Sequence, residues 1–165
     1  MQILYLPTPI TVLLCFAMWF VINLGVALIC LKIPDDWLSP ERFLFRTRRW
    51  ENGGRLYRAL GVHHWKKLLP DGASIVKGGY RKKSLTDYSL ENMNRFAMES
   101  CRAELTHLLA IFPFWIFGFI GPPTILLYMF IYALIFNLPC IIVQRYNRPR
   151  ITALVEQMKA RNYFV

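Results

Sequence analysis

The sequence predicts an all-α integral membrane protein. It should have about three transmembrane helices, one N-terminal and two in a C-terminal hairpin, with amphipathic helices at the interface. Three observations carry this. Residues 105–143 contain no Asp, Glu, Lys or Arg, and their one strongly polar break is Gly121-Pro122-Pro123. Residues 1–31 form a second uncharged run. A bilayer core ~30 Å thick takes about 20 apolar helical residues to cross, so these runs hold one crossing and then two. The third observation is where the formal charge of +10 lies. Residues 33–102 carry 14 Lys/Arg against 8 Asp/Glu, and residues 144–165 carry 5 against 1. The hairpin tip and the first 31 residues carry none. Flanks rich in Lys and Arg stay cytoplasmic. Three spans put both basic segments on one side, so charge and span count agree on a multi-pass chain, N-terminus out and C-terminus cytoplasmic. Little chain is left for a soluble unit, and residues 1–165 read as a single membrane domain.

The first span covers residues 10–31. Pro7 and Pro9 precede it, Pro34 follows, and Asn23 is the one amide inside. A cleaved signal peptide would carry its basic residues before the apolar run; here they follow it, which favours a retained anchor. The cytoplasmic loop, 33–102, interleaves Arg and Lys with Trp37, Phe43, Phe45, Trp50, Tyr57 and Trp65. Leu56, Leu60, His64 and Leu68 recur at helical spacing, which predicts helices lying in the interface. Asn52-Gly53-Gly54 breaks them, Pro70-Asp71-Gly72 and Gly78-Gly79 mark turns, and Arg81-Lys82-Lys83 reads as a solvated or lipid-facing patch. A long helix begins near Ser89. Glu91, Arg95, Glu99 and Arg102 form a ladder of ion-pair spacing along it, and it enters the membrane at Leu105. The hairpin spans run over about 105–120, with a kink expected at Pro113, and 124–143. A basic tail, 144–165, closes the chain.

A basic chain invites a nucleic-acid reading. Charge tied to three spans and mixed with Trp and Tyr instead suits anionic lipid headgroups or an acidic substrate, so no nucleic acid is expected. Cys15, Cys30 and Cys140 lie in or at the ends of apolar runs, and Cys101 sits on the cytoplasmic side. They have no metal-ligand spacing and predict neither disulfides nor a metal site.

Three groups of residues could carry chemistry. Met93, Ala97, Ser100, Glu104 and His107 share one helix face, which puts Glu104 and His107 one turn apart where the helix enters the membrane. An ionisable residue there is costly without a partner. A histidine beside a carboxylate has the parts of a general base with an orienting group, and equally of a structural pair. The second group is Gln144, Arg145, Tyr146, Asn147, Arg148 and Arg150, directly after the last span. Three arginines with amide and phenol groups suit a phosphate or a sugar; three arginines alone also serve as a stop signal. The third is His63-His64-Trp65-Lys66, where adjacent histidines point in different directions and only one can serve a given site. No His-x4-Asp box, Gly-x-Ser-x-Gly, phosphate-binding glycine loop or zinc motif occurs.

The segment Asn137-Leu138-Pro139, followed by the run Ile142–Arg150, resembles the glycosyl-4,4′-diaponeurosporenoate acyltransferases, which complete staphyloxanthin-type carotenoids. Ile33-Pro34-Asp35, Trp65-Lys66, Asp71-Gly72, Glu99, Arg102-Ala103-Glu104-Leu105 and His107 match in the same order. The nine residues 142–150 are specific; the rest is weaker but collinear. The resemblance implies a bacterial cell-membrane enzyme that moves a fatty acyl group onto the sugar hydroxyl of a glycosylated C30 carotenoid acid. The partners it implies are the lipid bilayer, an amphiphilic glycosylated acceptor and an activated acyl donor, acyl-CoA or acyl carrier protein, with no bound cofactor. His107 would take the hydroxyl proton and Glu104 would orient it. Arg145 and Arg148 would hold donor phosphate or the oxyanion. Tyr146 and Asn147 would bind the sugar, and Arg102, Gln144, Arg150, Trp65 and Lys66 complete the expected substrate contacts. Three spans make a thin wall around a site, which a homo-oligomer would thicken. Two other classes compete: a non-catalytic scaffold binding anionic lipid or a partner enzyme, and another small lipid-modifying enzyme such as a methyltransferase or hydrolase.

Overall fold

The computed structural model describes residues 2–69 and 87–162, and every regular element among them is helical. The first helix, α1 (Thr8–Leu31), starts behind Pro7 with Pro9 in its first turn, where a missing N–H has no intrahelical partner to lose. It is apolar on all sides and buries only Cys15, Trp19 and Cys30. Asn23 turns its amide back onto its own helix, donating to the Trp19 carbonyl at 2.8 Å.

Helix α4 (Leu90–Ile111) begins behind the N-cap Ser89, whose hydroxyl accepts from the Asn92 N–H. The face read from the sequence is the buried one: Met93, Ala97, Ser100 and Glu104 are all shielded. Pro113 cannot extend the α-helical ladder, and the chain tightens into a 3₁₀ helix over Phe112–Phe119. That geometry rises ~2 Å per residue, so residues 105–119 still reach about 26 Å. The chain turns at Gly121, and α5 (Pro123–Asn162) follows as one helix of 40 residues. It runs through Pro139 and Pro149, so the basic tail expected after residue 143 is the continuation of this helix. Residues 144–162 contain no glycine and many strong helix formers, which sustains it.

Helices α1 and α5 are long and apolar enough to cross a membrane, and only 11 % and 17 % of their most apolar stretches are buried. A soluble core helix would be mostly covered. Helices α4 and α5 pack against each other, and α1 lies against α4. Trp19 of α1 meets Phe117 and Tyr132, with ring centroids 5.1 and 5.8 Å away. Cys15, Ile120 and Ala133 complete this cluster. At one end, the Ile3 and Leu4 N–H groups donate to the Phe119 carbonyl at 2.8 and 3.1 Å. At the other, Arg102 Nη1 donates to the carbonyls of Cys30 (2.7 Å) and Ile33 (2.9 Å). The apolar part of α1 therefore has the same extent as the segment between Arg102 and Phe119.

The loop before α4 is built of short pieces: 3₁₀ turns at Asp35–Trp37 and Arg49–Gly54, then α2 (Arg55–Ala59), α3 (Val62–Trp65) and a 3₁₀ turn at Lys66–Leu68. The predicted break falls where expected, with Asn52, Gly53 and Gly54 all at positive φ. The predicted stripe does not share one helix. Gly61, at φ 67°, ends the run between Leu60 and His64, and Leu60 and Leu68 are exposed. Tyr57 and Val62 are buried instead, against Tyr146 of α5. The turns and basic patch expected at residues 70–72, 78–79 and 81–83 lie outside the described residues.

Candidate active site

Residues 141–150 are helical, so their side chains sort by i+3 and i+4 spacing into two faces. Arg145 and Arg148 point toward α4. Tyr146 and Arg150 point toward α3.

On the first face the buried carboxylate of Glu104 receives both arginines. Arg145 Nε donates to Oε1 at 2.7 Å, and Arg148 Nη2 lies 2.5 Å from Oε2. Arg148 is 1 % exposed. Its Nε donates to the Ser100 hydroxyl (2.8 Å), Nη1 to the Phe45 carbonyl (2.7 Å) and Nη2 to the Ser100 carbonyl (3.0 Å). Arg145 reaches further, to Glu51 Oε1 at 3.2 Å and to the Leu44 carbonyl at 2.9 Å. Glu51 is itself buried and accepts from the Tyr57 hydroxyl and the Arg48 N–H. Burial opposes the charge of Arg145, but Glu104 and Glu51 outweigh it and hold its pKa above the ordinary value. Burial and the neighbouring Glu51 raise the Tyr57 pKa. This network ties the loop to both helices. It gives Arg145 and Arg148 internal carboxylates and carbonyls as partners, where the sequence suggested donor phosphate.

Arg102 has a similar duty. Besides the Cys30 and Ile33 carbonyls at the end of α1 it binds Asp35, and its Nε lies 3.3 Å from Glu99. It caps the end of α1, where unpaired carbonyls favour a cation. One step of the predicted ion ladder is thereby made, and Asp35, Glu91, Arg95, Glu99 and Arg102 line an open cleft of about 420 Å³.

His107 lies one turn beyond Glu104. Its Nδ1 meets Asn137 Oδ1 at 2.9 Å. Asn137 is 3 % exposed, and its Nδ2 donates to the Ala133 carbonyl at 2.9 Å. That bond turns Oδ1 toward the imidazole, so His107 carries its proton on Nδ1 and its basic lone pair on Nε2. Glu104 was the partner expected for His107; the Nδ1 contact belongs to Asn137. Its signal in the sequence was a single amide inside an uncharged run. Glu51 had no such signal, because its partner lies 94 residues away.

On the second face, Lys66 Nζ donates to Asn147 Oδ1 at 3.2 Å and lies 5.0 Å from the Tyr146 ring centroid. Arg150 lies 3.6 Å from the same centroid. Trp65 packs beside Tyr57, Val62 and Tyr146, and its indole N–H donates to the Leu60 carbonyl. Gln144 is half-buried. Among the described residues no group of His, Cys, Asp and Glu is placed to hold a metal ion.

Fold and site together define a small helical protein with two helices of membrane-crossing length and apolarity. At one end it holds a buried carboxylate–arginine network with a histidine–amide pair one turn away. A family described as glycosyl-4,4′-diaponeurosporenoate acyltransferase matches residues 40–157. Relatives of that name from Staphylococcus aureus strains MRSA252 and COL are each 32 % identical over 152 residues, 92 % of this chain and 92 % of the relative. The chain belongs to this family and so to the acyltransferases. No solved structure matches it.

Proposed function

We propose that the protein is a membrane-bound enzyme that transfers a fatty acyl group from an activated donor to a sugar hydroxyl of a glycosylated C30 carotenoid acid or a related glycolipid. Family membership supplies the reaction class. The observation that carries the site is the His107–Asn137 pair, set between α4 and α5 one turn from the buried Glu104 network.

Three crossings are supported by the matched extent of α1, residues 105–119 and the apolar part of α5. Exposed Leu, Ile and Phe side chains along α1 and α5 supply a lipid-facing surface. Trp37, Phe43, Trp50, Leu60 and Leu68 stand exposed on the loop, as side chains at headgroup depth would. With the positively charged loop and the end of α5 on the cytoplasmic side, the N-terminus faces out. Both amphiphilic substrates could then keep their tails in the bilayer and bring their heads to the level of His107.

In the reaction, the sugar oxygen attacks the acyl carbonyl, forming the C–O bond as the bond to the donor's leaving group breaks. His107 Nε2 takes the hydroxyl proton and returns it to the leaving group, while Asn137 holds Nδ1–H and the ring orientation. Glu104, Arg145 and Arg148 keep α4, α5 and the loop in register around that pair. The test is purified protein in nanodiscs with the glycosylated acceptor and an acyl thioester. Ester should form, and His107→Ala should abolish it while the protein stays folded. Ester formation by folded His107→Ala would remove His107 as the base.

A further inference from the structure

We propose that Lys66 and Arg150, both standing over the Tyr146 ring, form with the nearby His63 and Arg58 a phosphate-binding site for the phosphate-bearing head of the activated acyl donor. The proposal rests on the acyltransferase reading and gives it a donor subsite.

The other arginines of this region cannot fill that role as they stand. Every nitrogen of Arg148 is engaged by Ser100, Phe45 or Glu104, and Arg145 is shared by two buried carboxylates and a carbonyl. The second face is different. Lys66 and Arg150 both stand over Tyr146, at 5.0 and 3.6 Å from its centroid. Tyr146 is itself buried, so its ring is a fixed platform for the two cations. The i, i+4 spacing of Tyr146 and Arg150 on α5 sets this up, and the Lys66–Asn147 hydrogen bond fixes the turn after α3 to the same helix.

Among the described residues, Lys66, Arg150, Arg58 and His63 make no salt bridge, whereas Arg102, Arg145 and Arg148 each do. The charges acting most strongly on Lys66 and His63 repel them. Burial lowers the Lys66 pKa, and Arg150 and Lys67 add to the effect. Partial burial, His64, Arg58, Arg150 and Lys66 all lower that of His63. His63 Nδ1 is shielded and has no hydrogen-bond partner, and its ring stacks 3.8 Å from that of His64. Like charges held together without a counter-charge are relieved by an anion. An arginine fork beside a lysine point charge suits phosphate oxygens. Of the two proposed substrates, the acceptor reacts through a sugar hydroxyl, whereas thioester carriers bear phosphate. Arg145, next in sequence to Tyr146, contacts Glu104, one turn from His107, so a donor held here could extend its acyl carbonyl toward the base.

The experiment uses the full chain in phosphatidylcholine nanodiscs, with palmitoyl-CoA as donor and inorganic pyrophosphate as the probe. Lys66→Gln and Arg150→Gln should each raise the donor KM about ten- to a hundredfold, as expected for losing one contact to a charged group. The acceptor KM should stay where it is. Pyrophosphate should compete with the donor and bind the variants about tenfold or more weakly by calorimetry. Lys159→Gln removes the same charge from an exposed site elsewhere and should change neither quantity. Unmoved donor KM together with unmoved pyrophosphate binding would overturn the site. Pyrophosphate binding that is lost in the variants of a protein making no ester would uphold the anion site and reject the acyltransferase reading. Phosphatidylglycerol nanodiscs identify the source of the phosphate. If that lipid displaces pyrophosphate from the wild type but not from the variants, the site belongs to a lipid headgroup and the donor assignment fails.

Discussion

Glu104→Gln keeps the side-chain shape and removes one charge, so it opens no cavity and tests the ion network alone. Glu104 is fully buried, and its two oxygens face Arg145 and Arg148 at 2.7 and 2.5 Å. The two arginines respond differently. Arg145 keeps Glu51 at 3.2 Å. Arg148, at 1 % exposure, has no other carboxylate partner among the described residues and becomes a buried cation held by dipoles alone. Removing one partner of a buried pair costs about 3–5 kcal/mol, most of it the stranded charge. For a chain of this size that lowers the unfolding midpoint by roughly 10 °C. The assay is thermal unfolding in detergent, with Arg148→Met made alone and together with Glu104→Gln. The double variant should be less destabilised than the sum of the singles, by about 1–3 kcal/mol, because Arg148→Met removes the cation that Glu104→Gln strands. A Glu104→Gln protein within about 0.5 kcal/mol of wild type would refute the structural role of the network, since surface changes alone reach that size. If such a protein had also lost turnover, Glu104 would belong to the chemistry instead.

Further expectations follow from the same geometry. Asn137→Ala should lower kcat about ten- to a hundredfold with little loss of stability, because His107 loses the group that fixes its tautomer; kcat and unfolding measured on one preparation check this. Arg102→Met removes the cap on α1 and takes the side-chain donor from the Cys30 and Ile33 carbonyls, while Asp35 stays in solvent, so unfolding should shift down by about 1–3 kcal/mol, read by thermal denaturation. Gly54→Ala puts a Cβ at φ 89° and 3.5 Å from the Tyr146 carbonyl, which should cost about 1–2 kcal/mol by the same measurement. The His63 imidazole should lose its proton below its ordinary pKa of 6.5, because partial burial and four basic neighbours oppose its charge. Its folded-state value lies below its unfolded one, so its contribution to stability is lost as pH falls from 6.5 toward the lowered value. Proton NMR titration reads this, and Arg150→Gln should move the value back up.

Much of the helical plan was legible because it follows from local properties. Apolar runs, prolines and a capping serine place α1, the start of α4 and the hairpin turn, and the 3.6-residue period picks out the buried face through Met93, Ala97, Ser100 and Glu104. The loop was less legible. The break at residues 52–54 was visible in the Asn-Gly-Gly run, but the period after it suggested one interfacial helix, and Gly61 in the left-handed region divides that stretch into short turns. The length of α5 was masked by its change of composition at residue 144, since basic residues end an apolar run without ending a helix. At the site, residue types were visible and pairings were not. Arg145 and Arg148 read as anion ligands because Glu104 and Glu51 are 41 and 94 residues from Arg145 in sequence. Asn137 was overlooked as the partner of His107 because helix spacing favoured the nearer Glu104.

The most direct test of the central claim is mass spectrometry of the lipids and pigments in cells that make the glycosylated carotenoid acid and express this chain or its His107→Ala variant. The account predicts a new species heavier by one fatty acyl group, bearing the ester on the sugar and absent with the variant. If the inserted, folded wild-type chain leaves the glycosylated acid unmodified and no other glycolipid gains an acyl group, the acyl-transfer account is contradicted.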